Sequence, residues 1–210
     1  LYAMQLIRQR KLNPLRPYQL VADNFLYFIA TAQKTIVSCY DIKNETVFSK
    51  FMVETLPQSN SACAVDEGCL YFPTRLGQVL ALDKYSGDVL KVIDVGWASI
   101  LSDVICDDKN IYTICGVPLS NGIKISINQY CLNINDKITG NKIGQSKFFR
   151  METFRYILDK DVLFFSAENV LYKCEKSGEI TDEIILTYTP SDNFLSYENT
   201  IILFSNKGSI

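Results

Sequence analysis

Short apolar strands recur about every 42 residues, with polar turns at matching offsets and no sustained 3.6-residue periodicity. These observations predict an all-β fold, a β-propeller of four-stranded antiparallel blades.

The clearest copy reads Cys69-Leu-Tyr-Phe, then Gln78-Val-Leu-Ala-Leu-Asp83, then Gly87-Asp-Val-Leu90. An earlier copy runs Phe25-Leu-Tyr-Phe, Ile36-Val-Ser-Cys-Tyr-Asp41 and Val47-Phe48. Later ones start at Asn110-Ile-Tyr and Val162-Leu-Phe-Phe. Val, Ile, Tyr and Phe dominate these runs, as half-buried pleated strands require. The first turn of each copy is Asx- or Gly-rich: Asp23-Asn24, Glu67-Gly68, Asp107-Asp108, Asp159-Lys160, Glu198-Asn199. Such residues tolerate the positive φ of tight hairpins.

The predicted repeats are 18–54, 60–96, 101–150 and 153–187, within a single domain spanning 1–210. Segments 193–210 and 1–12 read as partial blade pieces. Leu1–Gln5 has the pattern of a third strand, and 193–210 that of a first and second. Together they would close a ring of about five blades; the rival is an arc of a larger propeller. The third strands are expected to end on Asp41, Asp83, Asn133 and Glu175, which are 42, 50 and 42 residues apart. Extra residues in the hairpin Val117–Gly122 account for the long spacing. Side chains at these repeat-anchor positions are expected to cap the turn that follows. The alternative is an acidic ring that attracts a cation or a basic partner.

Composition removes several activities. The 210 residues include 48% apolar residues, enough for a core. Twenty-one Lys+Arg against 23 Asp+Glu leave a net charge of −2, which argues against a nucleic-acid binder driven by gross charge. There is no histidine. That excludes a Ser-His-Asp triad, a Cys-His dyad and His-based zinc chemistry. No apolar run approaches the roughly 18 residues of a membrane-spanning helix.

Seven cysteines (39, 63, 69, 106, 115, 131 and 174) form no CxxC, and their number is odd. They read as buried thiols in a reducing compartment, so a cytoplasmic chain is expected. An exported or luminal chain that has lost a signal segment is the alternative. The cluster Asp103, Asp107 and Asp108 reads as a solvated turn, because no Asp-x-Asp-x-Asp-Gly loop is present. The turn glycines are not phosphate cradles, since no helix follows them.

The string from Leu70 to Leu90, Leu-Tyr-Phe-x4-Gly-x-Val-Leu-Ala-Leu-Asp-x3-Gly-x-Val-Leu, resembles the PQQ-like (quinoprotein-type) β-propeller repeat. That family includes quinoprotein dehydrogenases and non-enzymatic propellers, among them a bacterial outer-membrane assembly lipoprotein and luminal stress sensors. The resemblance implies the scaffold. Quinone chemistry would also need a vicinal cysteine pair, and none is present. Where the family ends its fourth strand on Trp, this chain has residues such as Phe48, Val92 and Ile184.

The expected function is therefore a non-catalytic scaffold or interaction module for another protein, without cofactor or metal. A quinoprotein-like oxidoreductase or other channel-sited enzyme is the first alternative. An extracytoplasmic sensor or envelope-assembly propeller is the second. Expected partner contacts are the aromatics Trp97, Tyr85 and Phe72 and the basic Arg8 and Arg10.

Overall fold

The computed structural model describes residues 18–22, 25–31, 35–53, 63–74, 76–96, 99–100, 103–120, 125–150, 156–167, 169–197 and 200–205. All regular structure among them is β.

Blade 1 is β1 (Tyr18–Ala22), β2 (Phe25–Thr31), β3 (Thr35–Asp41) and β4 (Thr46–Val53), paired in that order. Blade 2 is β5 (Ala64–Val65), β6 (Cys69–Pro73), β7 (Gln78–Asp83) and β8 (Val89–Asp94). Blade 3 is β10 (Ile105–Cys106), β11 (Asn110–Ser120), β12 (Ile125–Asp136) and β13 (Lys142–Gln145), with β9 (Ser99–Ile100) added on β11. Blade 4 is β14 (Tyr156–Asp159), β15 (Val162–Ala167), β16 (Val170–Glu175) and β17 (Ile180–Ile185). A two-stranded sheet follows: β18 (Pro190–Tyr197) and β19 (Thr200–Ser205). Every pairing is antiparallel. The composite blade that 1–12 would complete lies outside the described residues.

A blade buries both faces, so its strands need apolar residues on both sides. Leu70, Phe72, Leu80 and Leu82 of blade 2 pack with Val37, Cys39, Phe51 and Val53 of blade 1. The opposite face of blade 2, with Tyr71, Val79 and Ala81, meets Ile100, Val104, Ile111 and Cys115 of blade 3. Tyr112, Ile114, Leu132 and Ile134 of blade 3 then meet Leu163, Phe165 and Cys174 of blade 4. The core is a series of seams rather than one central mass.

One irregularity repeats in all four blades. The register between third and fourth strands shifts at Cys39/Tyr40, Ala81/Leu82, Ile134/Asn135 and Lys173/Cys174. The residues left over on the outer strand are Phe48, Leu90, Ile143 and Thr181. A bulge twists an edge strand away from flat pairing, which protects the rim. The shift also fixes the true repeat position. The third strand ends one residue past it, at Asp41, Asp83, Asp136 and Glu175. Asn133 therefore does not stand at a turn: it lies inside β12, opposite Thr113 and Gln145, and is fully buried. The anchors are 42, 53 and 39 residues apart.

The turns after the anchors of blades 2, 3 and 4 pack on the preceding blade. Gly87 has φ 81° and sits so close to the Phe51 ring that a Cβ would overlap it. Gly178 has φ 95°, and a Cβ there would lie 2.8 Å from the Gln145 carbonyl carbon. Glu45 holds the matching site in blade 1, at φ 56°. Gly178→Ala is expected to destabilise by about 3 kcal/mol, from backbone strain plus collision. Gly96→Ala, at φ 77° with open space around its Cβ, should cost only the strain, about 1–2 kcal/mol. Equal midpoint shifts in urea would refute the seam argument.

Candidate functional site

The first and third turns of the blades share one rim. At that rim a charged unit recurs. Asp66 directly follows the first strand of blade 2 and accepts the N–H groups of Gly68 (2.9 Å) and Cys69 (2.7 Å) on Oδ1. Its Oδ2 takes the Tyr71 hydroxyl at 2.9 Å and Lys137 Nζ of blade 3 at 2.6 Å. Asp107 repeats this in blade 3. Its Oδ1 accepts N–H from Lys109 and Asn110, at 2.8 and 2.7 Å. Its Oδ2 accepts the Tyr112 hydroxyl at 2.9 Å and Lys176 Nζ of blade 4 at 2.7 Å.

Each donating lysine directly follows its blade's anchor residue. Lys137 also donates to the Asp107 carbonyl at 2.8 Å, and Lys84 to the Asp66 carbonyl at 3.1 Å. The first-turn partners in blade 1 are Ala22 and Phe25, so Ala22 holds the position of Asp66. The matching residue in blade 4 is Asp159, opposite Val162.

Electrostatics follow from this geometry. Burial opposes ionisation of Asp107, but Lys176, the two N–H donors and Tyr112 outweigh it and hold the carboxyl at about 2. Burial likewise opposes ionisation of Asp66, and Lys137 with the turn N–H groups still pulls it below the usual range. Tyr112 is pushed up to about 12 by burial and by the adjacent carboxylate.

A shallow cleft of about 310 Å³ opens beside this unit, lined by Asp107, Asp108, Lys109, Asn110, Asp161 and Lys176. Lys176 Nζ lies 2.7 Å from Asp107 and 2.8 Å from Asp161, so an ammonium already holds the point between the carboxylates. No group of three or more His, Cys, Asp or Glu suited to a metal ion occurs among the described residues.

The other expected residues divide. Asp41 and Asp83 cap their turns, with Oδ1 accepting N–H from Lys43 and Asn44, and from Tyr85 and Ser86. Asp136, not Asn133, does this in blade 3, through Thr139 at 2.6 Å. Glu175 ends its strand, and the turn closes through the Gly178 N–H on the Glu175 carbonyl at 2.9 Å. Phe72 is fully buried between blades 1 and 2, so it is core and not a partner contact. Tyr85 is exposed, with Lys84 Nζ 5.4 Å from its ring centre. Trp97, Arg8 and Arg10 lie outside the described residues. Val92 and Ile184, at positions where the resembling family has Trp, are half-exposed on outer strands.

The cysteines carry no reactive signature. Cys39, Cys63, Cys115, Cys131 and Cys174 are buried, and all seven are free thiols. Burial pushes Cys115 up to about 12 and Cys131 up to about 11.

The sequence reading missed the extent of the blade 3 hairpin. β11 and β12 have 11 and 12 residues. β10 and β9 pair with β11 only between Ile111 and Gly116, while β13 and Phe149 pair with β12 only from Tyr130 onward. From Val117–Ser120 and Ile125–Gln129 the two strands pair only with each other among the described residues. This part is a ribbon that leaves the blade. The signal was in the sequence, as Ile123, Ile125 and Ile127 alternating with polar residues.

No protein-family model matches the chain, and neither does any curated protein sequence. Solved structures do match its fold. BamB from Moraxella catarrhalis is 14% identical, with TM-score 0.58 over 91% of this chain and 61% of that one. A europium-containing methanol dehydrogenase is 13% identical, with TM-score 0.55 over 81% of this chain and 41% of that one. The computationally designed Ika8 protein is 10% identical, with TM-score 0.62 over 91% of this chain and 68% of that one. At these identities the likeness is one of fold. The chain has a β-propeller fold of the kind seen in BamB and methanol dehydrogenase, and it spans less than two thirds of either.

Asp107 contributes stability that is fully present above about pH 4 and is lost as pH falls toward its folded value of about 2. Asp107→Asn should lower stability at pH 7 by about 1–2 kcal/mol and flatten the acid limb of the stability–pH curve. An unchanged acid limb in urea titrations at several pH values would contradict this. The converse substitution, Ala22→Asp, supplies the missing acceptor to Lys84. It is expected to raise stability by about 0.5–1 kcal/mol, and only while Lys84 is present. A double-mutant cycle with Lys84→Met measures the coupling; zero coupling would sink the repeat logic.

Proposed function

We propose that this chain is a divergent PQQ-like propeller that works without catalysis, as a binding platform for another protein. The observation that supports it is the blade 3 ribbon. Blades 1, 2 and 4 connect their second and third strands within the sheet, whereas blade 3 extends β11 and β12 past it. In repeat folds, an insertion in one repeat is the usual seat of recognition, held out by a rigid scaffold. Seven thiols accord with a cytoplasmic setting.

The test is a chain in which residues 118–127 are replaced by a two-residue turn. A photo-crosslinker at Ser126 first identifies what the intact chain meets in its own cells. The shortened chain is expected to keep its β circular dichroism and melting temperature and to lose that partner. Retained binding at full affinity would overturn the reading. So would turnover of an alcohol or sugar by the pure protein with quinone and calcium.

A further inference from the structure

Two cysteines stand directly opposite each other at the root of the ribbon. Cys115 of β11 pairs with Cys131 of β12, next to the pair Gly116 and Tyr130. Tyr130 exchanges both backbone hydrogen bonds with Phe149, and the Leu132 carbonyl accepts the Ser146 N–H at 3.0 Å. Both residues thus turn their backbone groups away from β11, so Cys131 between them turns its own toward Cys115. Such a hydrogen-bonded pair holds its Cα atoms about 5.5 Å apart, a separation common to disulfides. The two side chains leave the sheet on one face, toward blade 2, where Cys115 packs with Tyr71, Val79 and Ala81. In the described strands Cys39, Cys69, Cys106 and Cys174 each face some other residue type. The Cβ atoms of directly opposed residues stand about 4.5–5.5 Å apart, widest in hydrogen-bonded pairs, against about 3.5–4.5 Å in a disulfide. Closing a bridge here therefore draws the two strands together by about 1 Å, and a bridge closed under strain is the readily reduced kind.

We propose that Cys115 and Cys131 form a reversible redox pair, oxidised by peroxide, that re-aims the ribbon. Its effect on binding rests on reading the ribbon as the binding element. One sulfur attacks a peroxide oxygen: an S–O bond forms, the O–O bond breaks and water leaves, giving a sulfenic acid. The second sulfur attacks the first: the S–S bond forms, the S–O bond breaks and a second water leaves. Two thiols and one peroxide thus give one disulfide and two waters, the sulfurs losing two electrons. A dithiol reverses the step by exchange. Both thiols are fully buried, which keeps them inert while the seam with blade 2 is closed. That seam is the one that gains from opening. On the same face, two residues from Cys131, the fully buried Asn133 Oδ1 has no hydrogen-bond partner among the described residues. Water entering there satisfies the acceptor and offsets part of the cost of opening, as it would not where leucine lines the seam. Hydrogen peroxide, close to water in size and hydrogen bonding, follows the same route. The bridge lies two residue pairs before Val117 and Gln129. Drawing the strands together there twists the root, and a partner fitted to the reduced chain loses contact.

Graded hydrogen peroxide on the purified chain, followed by alkylation in urea and peptide mass mapping, tests the pair. Two of the seven thiols should be lost to a single disulfide linking Cys115 and Cys131, and dithiothreitol should restore both. Cys131→Ala should keep its circular dichroism and form no disulfide within the chain. The oxidised chain should bind the partner captured at Ser126 about tenfold more weakly than the reduced one, while Cys131→Ala should bind it equally with and without peroxide. Seven intact thiols in excess peroxide overturn the proposal, as does a bridge between any other cysteines or between chains. A Cys115–Cys131 bridge that leaves partner binding unchanged overturns the switch alone. A shortened ribbon that keeps every partner overturns the binding reading beneath it, whatever the thiol map shows.

Discussion

A lysine placed one residue beyond the third strand ties blade 3 to blade 2 and blade 4 to blade 3. Exposed ion pairs contribute little, because long side chains must be immobilised in water. The pairs at this rim escape part of that cost. The Lys137 side chain keeps 14% of its surface and that of Asp66 24%. The carboxylate is held beforehand by two N–H groups of its own turn and by a tyrosine hydroxyl, so its position does not depend on the lysine. The lysine in turn bonds a carbonyl of its own blade. The unit thus joins two hairpins that are already formed. Between blades 3 and 4 it draws the turns together where Gly178 admits the closest approach. Apolar burial between blades is non-directional; this unit sets how far one blade slides along the next.

The strands and their turns were legible because a propeller blade uses short-range chemistry. Asp83 caps the turn its sequence announces, and Leu70, Phe72, Leu80 and Leu82 fill the seam that their apolar run demands. What was not legible depends on the partner strand. Asn133 passed for an anchor because spacing alone was counted, and a bulge changes no residue type. A further signal was present: an acid–lysine pair stands at three of the four anchors, Asp83-Lys84, Asp136-Lys137 and Glu175-Lys176, and the same pair recurs at the first turns Asp108-Lys109 and Asp159-Lys160. Phe72 could be core or surface from its sequence, since an aromatic in a strand serves either. Only the neighbouring blade decides.

Blade 3 departs from the repeat in a second way. Blade 2 faces its predecessor with Leu80 and Leu82, and blade 4 with Tyr172 and Cys174. At the corresponding positions blade 3 has Asn133 and Asn135, both fully buried. Asn133 Nδ2 holds the crossover from blade 2, donating to the Val95 carbonyl at 2.8 Å, and Asn135 Nδ2 holds the turn of its own blade, donating to the Gly140 carbonyl at 3.1 Å. Asn133 Oδ1 has no hydrogen-bond partner among the described residues. A buried acceptor left alone costs about 1–3 kcal/mol, more than the amide's single good bond returns.

That imbalance bears on where function resides. A repeat under selection for stability alone would carry leucine at both positions, as blade 2 does. Blade 3 instead combines a polar seam, an added inner strand and a hairpin that outgrows its sheet. Such local departures from an otherwise consistent pattern are where a fold gives up stability for a task. The polar seam fixes direction where an apolar one would fix only proximity, because amide hydrogen bonds are oriented and leucine contacts are not. A ribbon that projects beyond its blade amplifies any rotation at its root. Asn133, 2.8 Å from the Val95 carbonyl, and Lys137, 2.6 Å from Asp66, both tie the end of β12 opposite the ribbon to blade 2 and its crossover, and a strand held along that length sets the angle at which the ribbon leaves the blade.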